Sequence, residues 1–349
     1  MTIKKELLEI PDALQQMWEE GRPLYDALVR RISWGQRPIF LLGSGSSYPA
    51  AQSGARAFES LLGMPAVVRR PAIFSAYTSR ALAVRSLVIV VSGSEGCEET
   101  LQAAKKARSR GAIVWAVTTD PTGELAGLAD ATVNCYAGES PGEVTRSIFC
   151  RHAVMLFLAV AAARALKAPA PALNAQEEEL ARLGGHVEWV LNQIPDAGRA
   201  LAKQLGDLPK LYITGGGSFH PIALQAAGRL RQVAGIPARG FELLDFRQEF
   251  PRISPPGSGI LYLSSSRCGL KNQVHESVRN FRQEGNHKIL AITDGNDRQL
   301  SERADLALLL PILTEAGGAL TALAFLELVA YFAARPTARP STRRRPAGS

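Results

Sequence analysis

Cysteine is scarce in this chain. Cys97, Cys135, Cys150 and Cys268 are the four in 349 residues, and no two form a Cys-x-x-Cys pair. That argues against a disulfide framework or a thiolate metal site and reads as reduced thiols. Histidine is equally sparse: His152, His186, His220, His275 and His287 include no pair at metal-ligand spacing. No uninterrupted apolar run nears the roughly 18–20 residues needed to cross a bilayer, so no membrane association is expected. The opening Met1-Thr2-Ile3-Lys4-Lys5-Glu6 has no apolar signal core, and the expectation is a cytoplasmic protein. No Gly-Lys-Ser/Thr follows a strand-like run, which removes a Walker phosphate loop.

What is present is an ordinary globular composition, 46% apolar and 21% charged, long enough for two cores of domain size. The net charge of +8 invites a nucleic-acid reading, but Arg335, Arg339, Arg343, Arg344 and Arg345 lie in one Pro/Ala/Ser-rich tail. Without those five the body carries +3, and the distribution argues against nucleic acid as a partner. A tail of that composition, 335–349, is expected to be frayed.

The chain nearly repeats itself. Ile39-Phe40-Leu41-Leu42-Gly43 returns as Leu211-Tyr212-Ile213-Thr214-Gly215, an offset of 172. The same offset carries Gly45 onto Gly217, Ser46 onto Ser218, Gly63 onto Gly235, Pro65 onto Pro237, Ser92 onto Ser264 and Ser94 onto Ser266. Such a length marks a duplicated domain rather than a solenoid unit. Within each half, short Val/Ile/Leu runs alternate with helical patterns. Strands are expected at Ile39–Leu42, Ala66–Arg69, Leu87–Val91 and Ile113–Val117, then at Leu211–Thr214, Ile260–Leu263 and Lys288–Ile292. Helices are expected over 47–62, 98–110, 218–234 and 271–284, with closing helices near 144–167 and 314–333. This is an α/β pattern: two tandem doubly wound parallel sheets, flavodoxin-like. The expected division is a helical segment 1–35, domains 36–168 and 209–334, a helical linker 169–208 and the tail.

In open α/β sheets ligands sit beyond the carboxyl ends of strands, where helix N-termini favour anions. Two hydroxyl-rich loops stand there in the first half. One is Gly43-Ser44-Gly45-Ser46-Ser47-Tyr48, the other Ser92-Gly93-Ser94-Glu95-Gly96-Cys97. Either alone is also an ordinary Ser/Gly turn and N-cap; together they point to an anion site. A dinucleotide fingerprint fits poorly, because Tyr48 stands where a third glycine would fall and the next strand ends in Arg69-Arg70.

These residues resemble the SIS (sugar isomerase) family in its tandem form, as in the isomerase half of glutamine–fructose-6-phosphate transaminase and the related deaminases and deglycases. The resemblance covers about 35–335. The family's Ser-x-Ser-Gly-(Glu/Asp)-Thr phosphate loop is matched by Ser92, Gly93 and Ser94, with Glu95-Gly96 reversed and Cys97 in place of threonine. Its Gly-(Thr/Ser)-Ser-Tyr loop is matched by Gly45, Ser46, Ser47 and Tyr48. Its Val-Thr-(Lys/Arg)-(Ser/Thr) segment is matched by Val144, Thr145, Arg146 and Ser147. The resemblance implies a phosphorylated sugar or amino-sugar ligand, no cofactor and no metal, and a homodimer in which a loop of one subunit reaches its neighbour's site.

The family's catalytic positions are changed. Gln232 stands where the family has a glutamate base, and Gln248 where it has a histidine. A neutral amide cannot do general acid–base work. Glu249, expected on a slightly longer loop, is the leading relocated base, with Glu242 and Asp245 behind it; His220 is the histidine nearest a ligand-facing loop. Two readings follow: an isomerase, deglycase or deaminase working through an enediol or enamine with Glu249 as base, or a phosphosugar sensor without catalysis.

Overall fold

The structure, a computed structural model, describes residues 3–334 apart from 33, 35–37, 79, 81, 94–95, 139–144, 169, 254 and 286. Ten strands fall into two sheets. The first holds β1 (Ile39–Leu42), β2 (Ala66–Arg69), β3 (Leu87–Val91), β4 (Ile113–Thr118) and β5 (Ala131–Asn134). The second holds β6 (Leu211–Gly215), β7 (Ala238–Glu242), β8 (Gly259–Leu263), β9 (Lys288–Asp294) and β10 (Leu306–Leu310). Their orders, β2-β1-β3-β4-β5 and β7-β6-β8-β9-β10, are the same, and every pairing is parallel. The duplication extends to backbone conformation. Gly45 and Gly217 are left-handed at φ +54° and +57°, and the helix-ending Gly63 and Gly235 at +65° and +66°.

The unbroken apolar strands still obey the twofold alternation of a pleated sheet. Ile39, Leu41, Ile89, Val91, Trp115 and Val117 point into a core shared with Ile213, Leu261, Leu263, Leu290 and Ile292 of the other sheet. Their neighbours Phe40, Leu42, Val88, Val90, Val114 and Ala116 build a second core on the far face, filled by helix Glu98–Ser109. Tyr212, Ile260, Tyr262 and Ile289 do the same in the second half, against Phe246, Phe250 and Phe281. The sheets therefore share one central layer. It holds helices Ser47–Leu62, Thr145–Ala165, Phe219–Ala234 and Glu315–Ala333.

Two of these helices bear on the expectation of no membrane association. Thr145–Ala165 and Glu315–Ala333 are, by length and composition, apolar enough to cross a bilayer, although charged residues interrupt their runs. Each lies mostly buried between the sheets, and a helix that is apolar all round is what such a position requires. The N-terminal region consists of Ile3–Leu8, Ile10–Gln16, a π-helical turn Met17–Gly21, and Arg22–Val29. Three cysteines are buried; burial pushes the Cys135 thiol up to about 12 and the Cys268 thiol up to about 11.

Candidate ligand-binding cleft

The loop after β1 faces the helix Phe219–Ala234 across a cleft of about 400 Å3. Gly45, Ser46, Tyr48 and Arg70 line its first-half wall; Gln225, Arg229, Arg231 and Gln232 line the other. Local sequence explains the loop. At Gly43 a Cβ would sit 2.4 Å from the Ser47 carbonyl oxygen, so only glycine lets the chain leave β1 and re-enter a helix this tightly. Arg70 stacks on the Tyr48 ring, its guanidinium carbon 4.5 Å from the centroid.

Behind that wall lies a fully buried guanidinium. Arg151, on helix Thr145–Ala165, donates from Nη1 to Ser47 Oγ (2.5 Å), from Nη2 to Ser46 Oγ (3.0 Å) and from Nε to the Ser147 carbonyl (3.1 Å). The loop after β3 closes on the same group: a Cβ at Gly93 would lie 2.6 Å from Nη1. Thr119 Oγ1 holds the Gly93 carbonyl at 2.5 Å, and Ser92 beside it is buried. Arg151 thus joins the two hydroxyl-rich loops. Donation into the serine oxygens polarises both hydroxyls towards further donation.

The second half fills the corresponding place differently. Glu315 Oε1 accepts from the Ser218 N–H (2.7 Å), and Oε2 from the Gly269 N–H (2.9 Å). A carboxylate of the chain itself thus occupies the amide cradle after β6 and β8. One half presents a cation behind its loops; the other holds an internal anion.

Below the cleft the halves are tied by a buried network. Arg229 Nε donates to Glu327 Oε2 (3.0 Å), Nη2 to Thr145 Oγ1 (2.8 Å) and Nη1 to Gln232 Oε1 (3.2 Å). Thr145 Oγ1 in turn donates to Glu327 Oε2 at 3.3 Å. Burial raises the Glu327 carboxyl above its ordinary value, against the pull of Arg229.

Comparison with known proteins fits this geometry. Residues 34–164, which carry both loops and Arg151, match the SIS domain family. Over 330 residues the chain is 26% identical to the isomerizing glutamine–fructose-6-phosphate aminotransferase of Thermococcus kodakarensis, covering 94% of this chain and 54% of that protein. The chain spans about half the length of the curated relatives it matches. Among solved structures, the C-terminal domain of glucosamine–fructose-6-phosphate aminotransferase from Francisella tularensis superposes with a TM-score of 0.83 at 17% identity, covering 95% of this chain and 94% of that one. Glucosamine-6-phosphate deaminase from Thermotoga maritima gives 0.72 at 16%, covering 95% and 93%. The tandem SIS fold therefore extends over both halves.

Within that SIS fold the expected site residues are distributed unevenly. Gly45, Ser46 and Gln232 meet at the cleft. Ser47, Gly93 and Thr145 lie one layer behind, against Arg151 or Arg229. Cys97 is exposed at the start of helix Glu98–Ser109, its Sγ 3.9 Å from Ser44 Oγ and 3.1 Å from Thr100 Oγ1. Ser94, Glu95 and Val144 lie outside the described residues. Gln248 and Glu249 are not on a loop. They are exposed on helix Leu243–Ile253, where Phe246 and Phe250 anchor the opposite face in the outer core. Glu249 pairs with Arg239 at 3.9 Å on the surface and does not line the cleft. His220 starts helix Phe219–Ala234, also away from the cleft; burial lowers its pKa, with Glu242 opposing and Arg56 adding to the shift. Arg151 is not among the expected site residues, although an arginine well inside a largely apolar helix (Phe149-Cys150-Arg151-His152-Ala153) is a signal for it.

His152 next to it is fully buried, its Nδ1 2.8 Å from Ser53 Oγ. It borders a cavity of about 20 Å3 between the halves. Burial, reinforced by Arg151, pushes its pKa down to about 3 from 6.5. Below pH 6.5 the unfolded chain takes up a proton that the native imidazole refuses. Stability should therefore fall as pH drops from about 6.5 towards 3, by up to about 1.4 kcal/mol per pH unit from this group. Urea denaturation at pH 7.5 and pH 5 should show the loss, and His152→Gln should flatten it; equal slopes in the two proteins would contradict the assignment.

Proposed function

We propose that this SIS protein binds a phosphorylated sugar in the cleft, with the phosphate at Gly45 and Ser46 and the sugar extending towards Gln232. The observation that carries the reading is Arg151, a buried cation whose donors reach both serines of the loop after β1. Hydroxyls polarised in this way are suited to donate to an anion on their far side. The relatives named for sugar-6-phosphate chemistry support the ligand class.

The residues that line the cleft favour recognition without proton transfer. Among the described residues the lining contains amides and arginines but neither a carboxylate nor a histidine, and amides and guanidinium groups are not general acids or bases. The reading is a phosphosugar sensor. A second reading, an isomerase, deglycase or deaminase, has support from the isomerizing relatives and assigns the base to Glu249, delivered from the exposed face of helix Leu243–Ile253 to a neighbouring subunit.

Hexose, hexosamine and fructosamine 6-phosphates separate these readings. Each should raise the melting temperature saturably, and proton exchange at C2 in deuterated buffer should be absent in the sensor. Exchange that disappears in Glu249→Gln would replace the sensor with the enzyme. No thermal shift with any phosphosugar would remove both.

A further inference from the structure

The cleft holds more positive charge than one phosphate uses. Arg229 is neutralised by Glu327. Arg70 and Arg231 also line it, both exposed, and among the described residues neither has a carboxylate at ion-pair distance. Their geometry leaves donors for a ligand. Arg70 uses the face of its guanidinium on Tyr48, while the N–H groups of the planar fork lie at its edge. Arg231 gives one N–H to the Ala238 carbonyl and keeps four. The two come from opposite walls, Arg70 just after β2 and Arg231 from helix Phe219–Ala234. A phosphate at Gly45 and Ser46 is already backed by Arg151.

Resting on the phosphosugar reading, we infer that the ligand carries a second anionic group, met by Arg231 from the far wall and by Arg70 from the wall that holds the phosphate. The ligand class is a sugar phosphate extended by a carboxylate or by a second phosphate. Arg70 and Arg231 are then the residues that set specificity. A guanidinium fork holds either anion through paired, charge-assisted hydrogen bonds that a hydroxyl cannot replace.

The test compares three probes at one ionic strength by isothermal titration calorimetry on the full chain: hexose 6-phosphate, hexonate 6-phosphate and hexose 1,6-bisphosphate. At least one doubly anionic probe should bind about tenfold or more tighter than hexose 6-phosphate, and which one does so identifies the second group as carboxylate or phosphate. In Arg231→Gln and Arg70→Gln that ratio should fall towards one. Equal affinity for all three probes would overturn the inference while leaving phosphosugar binding intact. So would a preference that survives in the Arg70→Gln/Arg231→Gln double variant. Absence of binding by every probe would overturn both.

Discussion

Glu327→Ala should destabilise the protein by about 3–5 kcal/mol, the cost of leaving a buried guanidinium without its counter-charge. Arg229 and Glu327 are 5% and 1% exposed, so water cannot take over from the missing carboxylate. Thr145 and Gln232 keep their bonds to Arg229 but carry no charge. Glu327→Gln should cost less, because the amide oxygen still accepts a hydrogen bond. Replacing both partners, as in Arg229→Met with Glu327→Leu, should recover much of the loss, since an apolar pair needs no desolvated charges. Urea denaturation midpoints of the four proteins give the comparison. A loss below about 1 kcal/mol in Glu327→Ala would mean that this pair does not hold the halves together. The effect should reach function too, because Arg229 borders the cleft and helix Phe219–Ala234 supplies its second-half wall.

Arg151→Met should abolish the thermal shift given by hexose 6-phosphate, with affinity down about 100-fold or more, and should lower stability by about 2–4 kcal/mol. Three donors are lost at once, two to serine hydroxyls and one to the Ser147 carbonyl. On the proposed reading Arg151 is a positioning residue that acts through Ser46 and Ser47, so stability alone is a poor test of its role. Arg151→Lys provides the missing readout. It keeps the charge but loses the planar fork that reaches both serines together, and should restore part of the stability with little of the binding. If Arg151→Met binds hexose 6-phosphate as the wild type does, the phosphate does not lie on this wall.

The two halves show how a duplicated scaffold becomes asymmetric. The loops after β1 and β6 share a left-handed glycine and a following serine at the same offset. Among the described residues, Arg151 stands behind the first loop, whereas Glu315 accepts from the amide N–H groups after β6 and β8. A cation behind the loop favours an external anion, whereas a carboxylate already bonded to the amide N–H groups takes an anion's place.

Much of the architecture was already written in local sequence. Hydrophobic runs, glycine stops and the offset of 172 mark the strands and the two sheets, because each depends on the few residues around it. The hydroxyl-rich loops could be found for the same reason: a glycine turn after a buried strand is a short-range signal. The position of helices Thr145–Ala165 and Glu315–Ala333 between the two sheets was not legible, since composition cannot say which elements cover an apolar helix. Nor was the placement of Glu249. Sequence spacing set it beside a catalytic position, but the phenylalanines at 246 and 250 turn the segment into an amphipathic helix and leave 249 on the outside. Sequence by itself determined two parallel sheets and a candidate anion loop. Only tertiary structure decided which charges the central helices bring together, because Arg151, Glu315 and the Arg229–Glu327 pair each meet a partner 97 to 105 residues away in the chain. Contacts at that range are set by the packing of the central helices rather than by any local pattern.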